Sequence, residues 1–267
     1  MAENYHDRPE WSYSQMKLIL DHGIDYAVAA KRKMLPQPKS AAIDLGQLAH
    51  MLVLGGKDCY TLKEDSGFKD YRTNAAKEWK AEQERQGKAI VDQKQWGAVC
   101  QMVEHIDHHP HTLSYLKGNW FKHEEEMYAK VDGVSLRGKA DALLIKEWFD
   151  VGSNRDAKSL LITDVKTTSK FDDFFRKASY MHYDLQAAVY TLIGSASQGV
   201  SSSFTNYYFC VVETVMPYRV QFYHASMEFL EAGERKLRRC IDAIKEFGDR
   251  EPNFMIEEIP ELGDFSL

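Results

Sequence analysis

Two carboxylates and a lysine stand close together in the middle of the chain, on segments that read as strands. Asp141 lies in the run GKADALLI, Asp164 in LLITDVKTTS, and Lys166 follows Asp164 by two positions. Side chains alternate faces along a strand, so Asp164 and Lys166 point the same way. A buried carboxylate among apolar residues is costly unless it is paired or bound to a cation. Two of them in hydrophobic strands call for a partner. Mg²⁺ fits, with Mn²⁺ as a substitute, because it takes hard oxygen ligands, keeps several waters and accepts a phosphate oxygen. The chemistry that follows is metal-assisted phosphodiester hydrolysis, with the lysine orienting a water or balancing phosphate charge. The alternative is an ordinary salt bridge between Lys166 and a nearby acid.

The elements that must position these groups follow from local pattern. Residues 124–131 and 134–145 read as two strands joined by the turn Asp132-Gly133, a favoured hairpin pair. Residues 160–166 read as a third strand, after a polar loop over 152–158. A long helix is expected over 171–193, interrupted near Tyr180, and then a Gly/Ser-rich loop over 194–203. Strands over 204–213 and 218–223 pair, and a final amphipathic helix over 226–247 is capped by Ser226. Upstream, one helix is expected over 11–33, with Ser12 or Ser14 as its cap. Pro36 and Pro38 break that pattern. A strongly apolar helix over 41–54 contains His50 and stops at Gly55-Gly56. A short strand near 60–62 and helices over 76–87 and 92–107 complete the list. The order predicts an α/β (α+β) sandwich with a mixed central sheet flanked by helices. It reads as one domain over 1–267: a tail over 1–10, a mainly helical part over 11–120, a sheet core over 121–225, and a C-terminal helix and tail over 226–267.

Composition narrows the classes. The chain has 267 residues, 44% hydrophobic and 12% aromatic, enough for a real core and against disorder. No apolar run is long enough to span a membrane, and the polar N-terminus lacks a signal-peptide core, so a cytoplasmic protein of a bacterium or phage-infected cell is expected. The four cysteines, Cys59, Cys100, Cys210 and Cys240, form no CxxC pair, which points to buried thiols and away from disulfide, zinc or iron–sulfur frameworks. A net charge of −6 does not announce a nucleic-acid binder, yet a local basic groove is compatible with it. Candidate groove residues include Lys31, Arg32, Lys33, Lys170, Arg176, Lys177, Arg235, Lys236, Arg238 and Arg239. Each such cluster also reads as a solvated helix face. The histidines between His105 and His111 read as an exposed helix end with no carboxylate or cysteine at ligand spacing.

Taken together, an aspartate in GKAD, then DVK on the next strand, then Gln186 and Tyr190 as Q-x-x-x-Y on the following helix resemble the PD-(D/E)XK nuclease superfamily. LGQLAH ending at His50, preceded by SYSQMK over 12–17, resembles the RecE-like, exodeoxyribonuclease VIII-type branch found in phages and prophages. The resemblance spans about 11–223. It implies a restriction-endonuclease-like core and a Mg²⁺-dependent 5′→3′ exonuclease on double-stranded DNA ends, leaving 3′ single strands for recombination. It implies a homo-oligomeric ring, and a single-strand annealing protein as a possible partner. In that family's terms Asp141 and Asp164 ligate the metal with the Val165 carbonyl, Lys166 positions the water, and His50 is a further ligand or organiser. Gln186 and Tyr190 share a helix face and brace the site or touch phosphate. Tyr190 reads equally as core. Ser12, Ser14 and Lys17 are candidates for a 5′-terminal phosphate, or for capping in the case of the serines. The proline that often precedes the first aspartate is replaced by Ala140, and any of Glu124, Glu125 and Glu126 could reach the metal. Other habits remain open: an endonuclease, a helicase-coupled nuclease, or a non-catalytic DNA-binding scaffold of the same fold.

Overall fold

The computed structural model describes residues 5–35, 44–150, 152 and 155–254. Pro36, Pro38, the expected helix start at 41–43, part of the loop at 152–158, and residues 1–4 and 255–267 lie outside them. In chain order the elements are β1 (Trp11–Ser12), α1 (Tyr13–His22), α2 (Ile24–Lys31), α3 (Leu45–Val53), β2 (Tyr60–Leu62), α4 (Asn74–Arg85), β3 (Ala89–Val91) and α5 (Gln93–His108). They continue with β4 (Lys122–Val131), β5 (Val134–Asp150), β6 (Arg155–Thr168), α6 (Phe174–Tyr180), α7 (Tyr183–Gln198), β7 (Thr205–Glu213), β8 (Val220–His224) and α8 (Met227–Phe247).

The main sheet is mixed, as expected. Its order is β1-β5-β6-β7-β8, with β4 pairing the other edge of β5. β4–β5, β5–β6 and β7–β8 are antiparallel, whereas β6–β7 and β1–β5 are parallel. Parallel β6 and β7 need a crossover, and α6 and α7 supply it. The hairpin β4–β5 turns at Asp132 (φ 47°) and Gly133 (φ 88°), both left-handed, as a two-residue hairpin turn requires.

Helices cover both faces, and period-two alternation sorts the strand residues between them. Tyr207, Phe209 and Val211 of β7 join the core under α1, α7 and α8. Cys210 and Val212 join the core under α3 and α5. α7 lies directly on the sheet and α8 packs outside α7. Contact between α7 and α8 is close because residue 233 is glycine. A Cβ there would sit 2.0 Å from the Asp184 carbonyl oxygen and 2.8 Å from Ala188 Cβ. Gly233→Ala is therefore expected to destabilise the protein despite a helix-propensity gain of ~1 kcal/mol, since overpacking against backbone costs ~1–3 kcal/mol. Thermal unfolding of the variant checks this, and an unchanged or raised Tm would contradict the close approach.

Several sequence expectations are corrected. The helix expected over 11–33 divides into β1, α1 and α2, broken at Gly23 with φ 86°. The Gly/Ser stretch expected as a loop over 194–203 continues α7 to Gln198. Its small residues serve packing: a Cβ on Gly194 would lie 2.9 Å from Ile162 Cδ1, and the buried Ser195 hydroxyl pairs with Thr205 Oγ1 at 2.7 Å. Residues 5–10, expected as part of a tail, rest on the sheet, with Tyr5 against the Arg137 guanidinium and Arg8 against Tyr128. β6 begins at Arg155, inside the segment expected as loop, and β3 was not anticipated. The break near Tyr180 is present, with His182 at φ 55° between α6 and α7. Three cysteines are buried as expected, while Cys100 is exposed.

Candidate active site

The edge of β5 that faces β6 changes partner along its length. β6 pairs with it from Asp150 back to Ala142, and β1 pairs with it at Arg137 and Leu136. Between these, residues 138–141 have no strand neighbour on that side among the described residues. β6 meanwhile follows β7 out to Thr168. The two strands fork, and the carboxylates occupy the fork. Asp141 and Asp164 each come one position after the last pair, Ala142 with Thr163. Where the ladder opens, side chains take over its hydrogen bonds: Asp141 Oδ2 accepts from the Val165 backbone amide at 2.7 Å.

Both carboxylates are buried, Asp141 at 7% and Asp164 at 4% exposure, so their partners decide their state. Asp141 Oδ2 also meets His50 Nε2 at 2.9 Å. His50 arrives from α3, which starts with a capping box between Asp44 and Gln47. Asp164 Oδ1 accepts from Gln186 Nε2 of α7 at 2.6 Å. Asp164 Oδ2 contacts Lys166 Nζ at 2.6 Å, and the ammonium also sits 4.8 Å from the centre of the Tyr183 ring. A fork in a sheet, a helix on each side and five polar side chains thus form one cluster.

Burial and charge pairing pull against each other in this cluster. Burial pushes the Asp164 carboxyl up to about 6, against the opposing pull of Lys166. Burial disfavours the Lys166 ammonium, but Asp164 above all, with Tyr183 and Asp141, outweighs it and holds Lys166 above its ordinary value. Burial also opposes the His50 imidazolium, yet its hydrogen bond to Asp141 and that carboxylate's charge keep it above its ordinary value. Lysine is therefore a cation at neutral pH, a hydrogen-bond and charge donor rather than a ready base.

The residues fit a divalent cation by the chemistry of their donors: two carboxylates and an imidazole converge on the fork. Gln186 Oε1 is buried without a partner, an orphaned acceptor on the Asp164 side of the cluster. In the arrangement described, protein groups stand in for the cation: His50 lies on Asp141 and Lys166 on Asp164. Accordingly, among the described residues no three His, Cys, Asp or Glu side chains already form a cage. Binding requires these contacts to open.

The structure brings together His50, Asp141, Asp164, Val165, Lys166 and Gln186. Val165 contributes its amide, to Asp141, where the sequence suggested its carbonyl. Tyr190 lies next to the cluster: its hydroxyl accepts from the Lys139 backbone amide, and burial pushes it well up. Gly138 makes room for it, since a Cβ there would be 3.0 Å from Tyr190 Cε1. Tyr190 is thus a brace for β5 and also core. Ser12 is committed elsewhere, capping α1 through Gln15 in a capping box, and Ser14 hydrogen-bonds to Ser12. Lys17 pairs with Asp21 at 2.5 Å. Of the three glutamates, Glu124 pairs with Lys139, Glu125 with Lys122, and Glu126 accepts from Tyr128. Glu124 lies opposite Asp141 with φ 56°.

Sequence reading missed Tyr183, whose ring packs on Lys166. Its position, three residues before Gln186 on the same helical face, was the available signal. It also missed the network that holds the start of α7. Lys236 of α8 bridges Asp184 (2.7 Å) and His182 (3.0 Å), His182 reaches Asp21 (3.2 Å), and Tyr13 donates to the Met181 carbonyl (2.5 Å).

Comparison with known proteins gives the family and the fold. Residues 12–253 match the family model described as a PDDEXK-like domain of unknown function (DUF3799). Among curated proteins, none matches the sequence. The fold is similar to the crystal structure of a candidate exonuclease from Eubacterium rectale, with a TM-score of 0.59 and 14% sequence identity over 99% of this chain and 95% of that one. No helix of the described residues is long and apolar enough to cross a membrane. With two carboxylates and a lysine at the fork of a mixed sheet, and a family match over nearly the whole chain, this protein belongs to the PDDEXK-like family of nuclease-type domains.

Proposed function

We propose that this protein is a divalent-metal-dependent exodeoxyribonuclease that digests double-stranded DNA ends 5′→3′ and leaves 3′ single strands for recombination. The observation that carries the reading is the fork itself, with Asp141 and Asp164 buried on its two arms and the half-buried Lys166 ammonium on Asp164. The name of the Eubacterium rectale neighbour and the RecE-like motifs at 12–17 and 45–50 support exonuclease action over other habits of the superfamily.

Asp141 and Asp164 would hold Mg²⁺ or Mn²⁺, with His50 as a further donor. Such an ion, when bound, makes water a stronger nucleophile and offsets charge on the phosphate oxygens. Gln186 fixes the Asp164 carboxylate by its hydrogen bond. Lys166, as a cation, donates to the attacking water or a phosphate oxygen and balances developing charge. Tyr183 packs on the ammonium and Tyr190 packs against Gly138 of β5. A homo-oligomeric ring around DNA and an annealing-protein partner belong to the same proposal, as does a cytoplasmic site of action.

Digestion of end-labelled linear duplex, beside covalently closed circles, tests the reading. We expect Mg²⁺-dependent release of the 5′ label from linear DNA and intact circles. Cutting of circles would make the protein an endonuclease. Digestion only with an added helicase would make it a helicase-coupled enzyme, and no digestion with either metal would leave a DNA-binding scaffold.

A further inference from the structure

A groove leaves the fork along the end of β6. Its near part, about 460 Å³, is lined by the start of α3 with Thr167, Thr168, Ser169 and Lys177. Its far part, about 410 Å³, shares Thr168, Ser169 and Lys177 and adds Lys170, Arg176 and Tyr180. The shared residues make the two parts one continuous channel. Thr168 is two residues past Lys166, ~7 Å along the strand at ~3.3 Å per residue. The channel therefore begins a short way along β6 from the cluster.

Its lining carries three cations and one exposed ring, beside the carboxylates Asp44, which caps α3, and Asp173, which pairs with Arg176. Lys170 is exposed and forms no ion pair among the described residues. Arg176 pairs only with Asp173 at 3.0 Å, and its side chain is 78% exposed, so that contact is weak and exchangeable. Lys177 is tied to the Thr167 carbonyl at 2.7 Å, which places its charge at the mouth nearest Lys166. The Tyr180 ring is 77% exposed at the far end, on the last residue of α6. The ring's face is open to solvent at the point where the cations end. Lysines and an arginine spaced along a channel, hydroxyls between them and a free ring at its end are what a single strand needs: cations for phosphates and a π-face for an unpaired base.

We propose that this channel is the track for one unpaired DNA strand next to the cut site, with Lys170 and Arg176 on successive phosphates and Tyr180 stacked on a base. The inference rests on the nuclease reading and adds where the strand runs and what holds it.

The test is fluorescence anisotropy of a labelled oligothymidylate with the full-length protein in EDTA, which prevents cleavage, over a range of salt. Tyr180→Ala should weaken binding about 5- to 150-fold, the range for loss of one base–aromatic stack, with an unchanged salt slope. Tyr180→Phe should restore it. Lys170→Ala with Arg176→Ala should reduce the slope of log K against log salt by about 1.4, at ~0.7 per phosphate contact on single strands. Unchanged affinity and slope in these variants, in a protein that still degrades DNA with Mg²⁺, would overturn the track and leave the nuclease reading standing. A wild type that neither binds nor degrades DNA would overturn both. An equal loss from Tyr180→Ala on covalently closed duplex, which offers no unpaired base, would overturn the single-strand assignment.

Discussion

Lys166→Ala is expected to lower DNA hydrolysis by about 10²–10⁴-fold, the usual range for a group that assists proton or charge movement in the transition state. The loss should fall on kcat, because Lys166 is inside the cluster and not on the proposed strand track. The same substitution has a second, pH-dependent signature in metal-free protein. At pH 8 the Asp164 carboxylate is ionised and Lys166 is its cation at 2.6 Å. Removing one member of such a buried pair costs ~3–5 kcal/mol. At pH 5 Asp164, pushed up to about 6, already carries a proton, so the lysine is a buried cation without its counter-charge. Deleting it there should cost little or even stabilise. Activity assays with melting curves in EDTA at both pH values check the two signatures. Activity within a few-fold of wild type, or an equal stability loss at both pH values, would remove Lys166 from the role given to it.

Mg²⁺ is expected to raise the Tm, and Asp141→Ala or Asp164→Ala to abolish the rise. A ligand that binds only the folded state at a hundred times its Kd adds ~2.7 kcal/mol, worth about 5–10 °C for a chain of this size. The pH dependence follows from Asp164. Its folded value, about 6, lies above the ordinary carboxylate value of 3.8. Between these two pH values the folded state binds the extra proton, so metal-free stability falls as pH rises through that window. The cost of ionising this buried carboxyl, ~3 kcal/mol at ~1.4 kcal/mol per pH unit, is complete above about pH 6. A divalent cation competes with that proton. Its stabilising effect should therefore be small at pH 5, grow through pH 6 and reach full size by pH 8. Differential scanning fluorimetry with Mg²⁺ and with EDTA at these pH values measures it. A shift of the same size in Asp164→Ala, or one that does not change with pH, would place the metal elsewhere.

The chemistry-bearing residues were legible because their types are unusual for their settings. An aspartate in an apolar strand is costly, so Asp141 and Asp164 stood out, and a two-residue spacing placed Lys166 beside the second. Gln186 entered through the resemblance to the PD-(D/E)XK superfamily, and the structure gives it a hydrogen bond to Asp164. Ser12 shows the opposite case. Its type suits a phosphate or a cap equally well, and the backbone at the start of α1 takes it as a cap. Composition also misled over 194–203, because glycine and serine serve a loop and a tight helix–sheet contact alike.

By itself, then, the sequence determined the order of elements from residue 124 onward, the hairpin at Asp132-Gly133, the apolar strands and the polar residues set within them. These depend on local spacing and on the cost of burying charge. The tertiary structure alone decided that β5 passes from β6 to β1, that the gap at 138–141 is where both aspartates meet, and that His50 and Gln186 reach it from opposite faces of the sheet. It also decided that Tyr183 packs on Lys166 and that an exposed channel leads on to Tyr180. Those facts depend on which strand pairs with which over contacts 20 to more than 100 residues apart, and local pattern carries no information about partners at that separation.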